Sequence, residues 1–218
     1  MLQSIELPRQ LDVRPLPAPV HAMVHDLRCR IEAFQDRWDM PQIEQFVAAD
    51  YQLVYQTLAW IRESQMLIGN RFVEWGCGFA AVTLMADALG WEAVGIESEA
   101  VLIEHGRQTL ADWCGPLRAD TAGPTASSPE LVLGNFLPPG AEDLADDPTL
   151  PSLGHLTESA YRELGLGVDD FAVVYSYPWP GEDQFHEQVF DRYAARGAIL
   201  LQFCGPNDMR AWRAVSRA

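Results

Sequence analysis

An open, mostly parallel, doubly wound α/β sheet flanked by helices is the fold class this sequence predicts, and three observations predict it. From residue 71 onward, short apolar runs alternate with longer segments of helical periodicity. The first run, Arg71-Phe-Val-Glu-Trp75, passes directly into Gly76-Cys77-Gly78, a strand-to-helix turn that glycine makes tight. At 218 residues, 48% hydrophobic and with seven tryptophans, the chain can fill one core without disulfides or metals.

In chain order, residues 1–19 are dotted with prolines and read as an extended lead-in. His21 to Trp38 and Pro41 to Gln65 turn helical, with Leu53, Val54, Thr57, Leu58 and Ile61 on one face. Asp50 can cap a helix starting at Tyr51, which would divide the second segment in two. Residues 1–70 are thus expected as a helical extension packed on a ligand-binding domain of residues 71–218, one compact unit overall. After the strand 71–75, Val82, Met85, Ala88 and Leu89 mark a buried helix face ended by Gly90. A strand over 91–97 and a helix from Ser98 to Trp113 follow. Gly115–Pro129 is rich in Gly, Pro, Ser and Thr and reads as a loop with room for a degenerate strand. Leu131–Leu133 is a short strand with Gly134-Asn135-Phe136 at its tip. Leu137–Pro151, carrying Glu142, Asp143, Asp146 and Asp147, is a surface loop that either covers a site or is simply solvated. Thr157–Leu164 is a short helix closed by Gly165, Phe171–Tyr175 a strand, Asp183–Ala195 a helix and Ala198–Phe203 a strand.

The net charge is −16, and all fifteen basic residues are arginine. Phosphate backbones are held by clustered basic residues, and no basic run occurs, so a nucleic-acid partner is disfavoured. A basic protein segment, a cation or a small neutral molecule fits the acidity, which equally serves solubility. No stretch reaches the roughly eighteen apolar residues of a membrane span, and Met1–Pro8 lacks the layout of a signal peptide, so a cytoplasmic protein is expected. Cys29, Cys77, Cys114 and Cys204 are widely spaced and indicate neither a zinc site nor a disulfide framework. His21 and His25 lie one helical turn apart but lack a third ligand, so no metal is expected.

The chemistry-bearing residues cluster around the glycine turn. Gly76 and Gly78 let the backbone approach a ligand, and the helix that follows offers its unpaired N–H groups. Glu97, about twenty residues beyond Gly76, ends the next strand, where a carboxylate can accept hydrogen bonds from both ribose hydroxyls. Ala81 stands where the dinucleotide fingerprint has its last glycine, and Glu74 would repel a pyrophosphate. Glu74 suits a cationic ligand instead. By itself a Gly-x-Gly turn is also an ordinary connection; the spacing of Glu74 and Glu97 around it is what points to a nucleoside.

Glu74-Trp75-Gly76-Cys77-Gly78-Phe79-Ala80 resembles the first motif of the class I S-adenosylmethionine-dependent methyltransferases, an acid, any residue, then Gly-x-Gly-x-Gly, with Ala80 at the third glycine. The resemblance implies a Rossmann-like methyltransferase fold and S-adenosylmethionine as cofactor, bound by Glu74, Trp75, Gly76, Cys77, Gly78 and Glu97. It also implies that Asn135 and Phe136 lie beside the adenine, although Gly-Asn is equally a turn pair. Ser176-Tyr-Pro-Trp-Pro-Gly-Glu182 resembles the fourth motif of amino-methylating enzymes. There Ser176, Pro178 and Trp179 match, while Tyr177 replaces a proline, so adenine-N6 specificity is not carried over. Ser176, Tyr177 and Trp179 are the candidate catalytic residues of an acceptor pocket, unless the segment is only a proline-stiffened turn. Glu182, Asp183 and His186 can accept a proton or belong to a solvated helix start.

Phe46-Val-Ala-Ala-Asp-Tyr51 resembles the entry segment of some seven-strand protein-lysine methyltransferases, which implies that Tyr51 borders the methionine end of the cofactor. Against the complete seven-strand sheet of the family, only Gly205–Ala218 remains for a closing hairpin, with Met209–Val215 as one edge strand. The sheet is therefore expected one strand short or finished by a partner subunit, as in a homodimer. The function implied is methyl transfer to a nitrogen of a protein side chain or small molecule. The alternatives are a cofactor-binding interaction protein without catalysis, and a nucleic-acid amino-methyltransferase, which the charge argues against.

Overall fold

The computed structural model describes residues 1–37, 47–119, 127–145 and 158–215. Strands β1 (Leu2–Ser4), β2 (Arg71–Trp75), β3 (Glu92–Glu97), β4 (Glu130–Leu133), β5 (Val173–Ser176), β6 (Ile199–Gly205) and β7 (Asp208–Ala214) form one sheet in the order β1-β7-β6-β5-β2-β3-β4. Strands β2 to β6 are mutually parallel, and β7 runs antiparallel to β6 and to β1. The sheet is neither short by one strand nor dependent on a partner for its edge. The chain's own lead-in supplies the seventh strand, pairing Leu2 with Ala214 and Ser4 with Trp212, so β7 lies inside the sheet.

Helices α1 (Ala18–Gln35), α2 (Tyr51–Ser64), α3 (Ala81–Ala88) and α4 (Ala100–Ala119) lie on one side, and α5 (Ala160–Leu164) and α6 (Asp183–Tyr193) on the other. Side chains of a strand alternate between faces, and β2 does so cleanly. Phe72 enters the first core, with Leu58, Met85 and Trp91, while Val73 and Trp75 enter the second, with Phe171, Phe185 and Phe190. All eight residues of α3 are buried, which places this helix between the sheet and an outer layer of α1, α2 and α4. Helix α1 is fixed on α4 by apolar contacts, by a 2.8 Å bond from the Trp113 indole to Asp26 and by the Arg30–Asp112 ion pair.

Helix α2 begins where Asp50 was expected to cap it: the Asp50 carboxylate accepts the N–H groups of Gln52 and Leu53. The earlier half of that expected helical segment, with Phe46, lies outside the described residues. Helix α4 runs past Trp113 and through Pro116, so Gly115–Ala119 is helix and not loop. Its last turn is held by buried Leu117 and by Arg118, which grips the buried Asp87 of α3 at 2.6 and 2.8 Å. Asp146 and Asp147 are outside the described residues; nearby Asp143 pairs with Arg192 of α6.

Candidate active site

The chain leaves β2 for β3 and β4 on one side, then returns to place β5 on the other side of β2. Such a reversal opens a crevice at the carboxyl ends of the two central strands, the usual ligand position in an open α/β sheet. Glu74, Trp75, Tyr175 and Ser176 end those two strands, and the glycine turn lies directly above them.

The turn is built by its neighbours. Gly76 and Gly78 have φ of +75° and +50°, in the left-handed region that glycine enters without penalty, and Ala80 follows at +61°. The N–H groups of Gly76 and Cys77 both donate to the Ile96 carbonyl at 2.9 Å, and that of Ala80 to the Cys77 carbonyl. Gly78 N–H donates to Glu97 Oε2 at 2.8 Å, while Glu97 Oε1 accepts from Glu99 N–H at 2.9 Å. Glu74 Oε2 accepts both the backbone N–H and the hydroxyl of Thr83, at 2.7 and 2.6 Å, and so caps α3 from the strand tip. With the amides of residues 76, 77, 78, 80 and 83 engaged inside the protein, they are not available to cradle a pyrophosphate. The side chains that hold the turn in place are the carboxyls of Glu74 and Glu97. With three backbone N–H donors on its two oxygens, the Glu97 carboxylate keeps one lone pair for a hydroxyl.

Both acids are buried. Burial pushes Glu74 up to about 8, opposed by the Thr83 hydrogen bonds and reinforced by the Glu97 charge. Burial also raises Glu97, against three backbone N–H donors. Two close packings that sequence reading missed set the turn's position. A side chain on Gly95 of β3 would lie under 3.0 Å from Leu131, Thr83 and Cys77, and one on Gly106 of α4 would lie 3.0 Å from the Gly78 carbonyl. Glycine inside a strand or a helix was the available signal.

The remaining sequence-predicted residues divide between the two faces. Tyr51, at the start of α2, is buried in the first core with Tyr175, on the Glu74 side. Trp75 turns its indole away, into the second core, where Nε1 donates to the Tyr161 hydroxyl at 2.7 Å. Ser176 shares that side by register with Trp75, and its hydroxyl is buried without a partner among the described residues. Cys77 is buried beneath the turn. Asn135 Oδ1, the atom that would meet an exocyclic amine, already accepts the Leu137 N–H at 2.9 Å. Phe136 is half-buried and stacks on Trp75 at 4.8 Å and 18°. Tyr177 and Trp179 are half-buried; the Trp179 carbonyl accepts the Glu182 N–H across Pro180 and Gly181, a reverse turn with Gly181 at φ +94°. His186, on α6, packs 4.8 Å from Phe136 and 5.8 Å from Trp75, and neither ring nitrogen has a partner among the described residues. Burial lowers it to about 3, which keeps it neutral and makes it a poor proton acceptor.

The strand order, with one antiparallel strand inserted beside the last parallel one and helices on both faces, is a Rossmann-like, doubly wound α/β arrangement. The chain has that fold. No protein-family model and no curated protein matches the sequence. Among solved structures, the chain is similar to a methyltransferase from Geobacter sulfurreducens (16% identity, 94% of this chain and 92% of that one, TM-score 0.49). It is also similar to an RNA methyltransferase from Salinibacter ruber in complex with S-adenosylhomocysteine (13%, 74% and 88%, TM-score 0.45). A third is an O-methyltransferase from Bacillus cereus, also in complex with S-adenosylhomocysteine (10%, 86% and 66%, TM-score 0.48). Among the described residues no helix is long and apolar enough to cross a membrane.

Proposed function

We propose that this chain binds S-adenosylmethionine and transfers its methyl group to a nitrogen of a small molecule or protein side chain. The observation that carries the reading is the pair of buried carboxylates on either side of the glycine turn, with the turn's own amides consumed internally. An anionic dinucleotide would meet two acids and few free donors there. A nucleoside with a cationic tail meets what it needs, Glu97 for the ribose hydroxyls and Glu74 for the positive end, the Glu74 carboxyl giving up its proton as the cation arrives. Open space beside Gly76, where an added Cβ would meet nothing within 4 Å, leaves room for such a ligand. The bound cofactor would supply an electrophilic methyl on a sulfonium. The chain's part is to hold the acceptor in line, exclude water and keep the nucleophile unprotonated. Tyr177 and Trp179, on the rigid proline turn after β5, are suited to wall the acceptor side. Asn135 and Phe136 would border the adenine.

Calorimetric titration with S-adenosylmethionine, S-adenosylhomocysteine and NAD tests the reading. Micromolar binding of the first two and none of NAD is expected; silence toward the first two, or a preference for NAD, would overturn it.

A further inference from the structure

The glycine turn contains one residue that its conformation disfavours. Ala80 sits at φ +61°, where a side chain is strained and glycine is not, and it stands at the place of the motif's third glycine. Such a conformation persists only where the surrounding structure over-determines it. Its own N–H reaches the Cys77 carbonyl at 2.7 Å, and the residue before it, Phe79, is held from both sides. The buried Phe79 ring stacks face to face on His105 of α4, with centroids 4.6 Å apart and planes inclined by 6°. Phe34, near the end of α1, meets both rings edge-on, 5.7 Å from Phe79 and 5.1 Å from His105. The next residue of α4, Gly106, lies so close to the turn that an added Cβ would be 3.0 Å from the Gly78 carbonyl and 3.4 Å from the Ala80 methyl. Burial and the charges of Arg37 and Arg30 lower His105 from its ordinary 6.5, so the stacked ring is a neutral imidazole at pH 7.

Phe79 joins Gly78, whose N–H donates to Glu97, to the strained Ala80. We propose that Phe34 and His105 are positioning residues of the cofactor site: gripping Phe79 between α1 and α4, they hold Ala80 left-handed and keep the Gly78 N–H on Glu97. The inference rests on the methyltransferase reading and brings α1, remote in sequence from the motifs, into the cofactor site. Without the grip, the strain at Ala80 relaxes by rotation of residues 78–80. A cofactor must then restore the turn before it binds, and its affinity falls with the population of the restored form. Glycine at this position would carry no strain, so the grip matters only while alanine is there.

Calorimetry with S-adenosylhomocysteine, well below every Tm, on the wild type, His105→Ala, His105→Phe, Phe34→Leu, Ala80→Gly and the double variant Ala80→Gly with His105→Ala tests the grip. His105→Ala is expected to weaken binding about five- to tenfold, the factor one left-handed alanine represents, and Phe34→Leu about threefold. His105→Phe keeps a flat ring on Phe79 and is expected to retain wild-type affinity. In the Ala80→Gly background, His105→Ala is expected to cost less than about twofold. A ring cluster that only stabilises the fold would lower Tm in His105→Ala without moving affinity, and that result overturns the proposal. An equal loss of affinity with alanine or glycine at residue 80 overturns it too, because strain would then play no part. So does a His105→Phe variant as weak as His105→Ala, which would give the role to the imidazole nitrogens. A wild type that binds, with variants that match it, removes the grip and leaves the cofactor reading standing; failure of the wild type to bind S-adenosylhomocysteine removes both.

Discussion

Gly78 donates its backbone N–H to Glu97 Oε2 at 2.8 Å, so the residue placed to hold a ribose also holds the turn beneath it. Glu97→Ala should therefore act twice. It removes the charge-assisted ribose bonds, weakening cofactor binding by about 2–3 kcal/mol, on the order of a hundredfold. It also unpairs the Gly78 and Glu99 N–H groups, lowering stability by about 1–3 kcal/mol. Calorimetry and urea unfolding on the same variant separate the two effects; a folded variant with wild-type affinity would mean the ligand does not meet Glu97.

Glu74 makes stability depend on pH near neutrality. Its native value of about 8 lies above the ordinary 4.5, so the folded state holds a proton the unfolded state has released between those limits. The stability this provides is complete below pH 4.5 and is lost as pH rises through 8. Glu74→Gln keeps an oxygen for Thr83 and has no proton to lose. The urea midpoint of the wild type should fall between pH 6.5 and 8 while that of Glu74→Gln stays level; parallel curves would show that Glu74 is ionised throughout.

His186 tilts the curve the other way. Its native value of about 3 lies below the ordinary 6.5, so the unfolded state takes up a proton the folded state refuses, and stability falls as pH drops from 6.5 toward 3. Between 4.5 and 6.5 the two slopes, each about 1.4 kcal/mol per pH unit at most, oppose one another. His186→Phe should pack with Trp75, Phe136 and Phe185, raise stability by removing two unpaired nitrogens, and flatten the acid limb. A variant less stable than the wild type at pH 7 would show that the ring nitrogens have partners in solution.

Sequence alone reaches the glycine turn, Glu74, Glu97 and the alternation of strands and helices because each is local: a turn chemistry, a carboxylate at a strand tip, a periodicity. It misses what distant partners decide. Strand β1 is three residues long and exists because Ala214, at the far end of the chain, pairs with Leu2. Helix α4 passes Pro116 because Arg118 reaches Asp87 on another helix. The face toward which Trp75 and Ser176 point depends on the register of β2 against β5, which no run of residues announces.

Two glycines of one helix give the last prediction. Gly106 and Gly115 both lie in α4, where alanine is the better helix former by about 0.5–1 kcal/mol. A methyl on Gly115 meets nothing within 4 Å, so Gly115→Ala should stabilise the protein by about that amount. A methyl on Gly106 would press at 3.0 Å on the Gly78 carbonyl and on Leu131. Backbone cannot step aside as a side-chain end can, so Gly106→Ala should destabilise by about 1–3 kcal/mol despite its better propensity. The displaced carbonyl belongs to the residue whose N–H reaches Glu97, so the same variant should also weaken S-adenosylhomocysteine binding, whereas Gly115→Ala should not. Thermal melts and calorimetry on the pair decide the matter: equal behaviour of the two variants would mean that α4 does not bear on the turn.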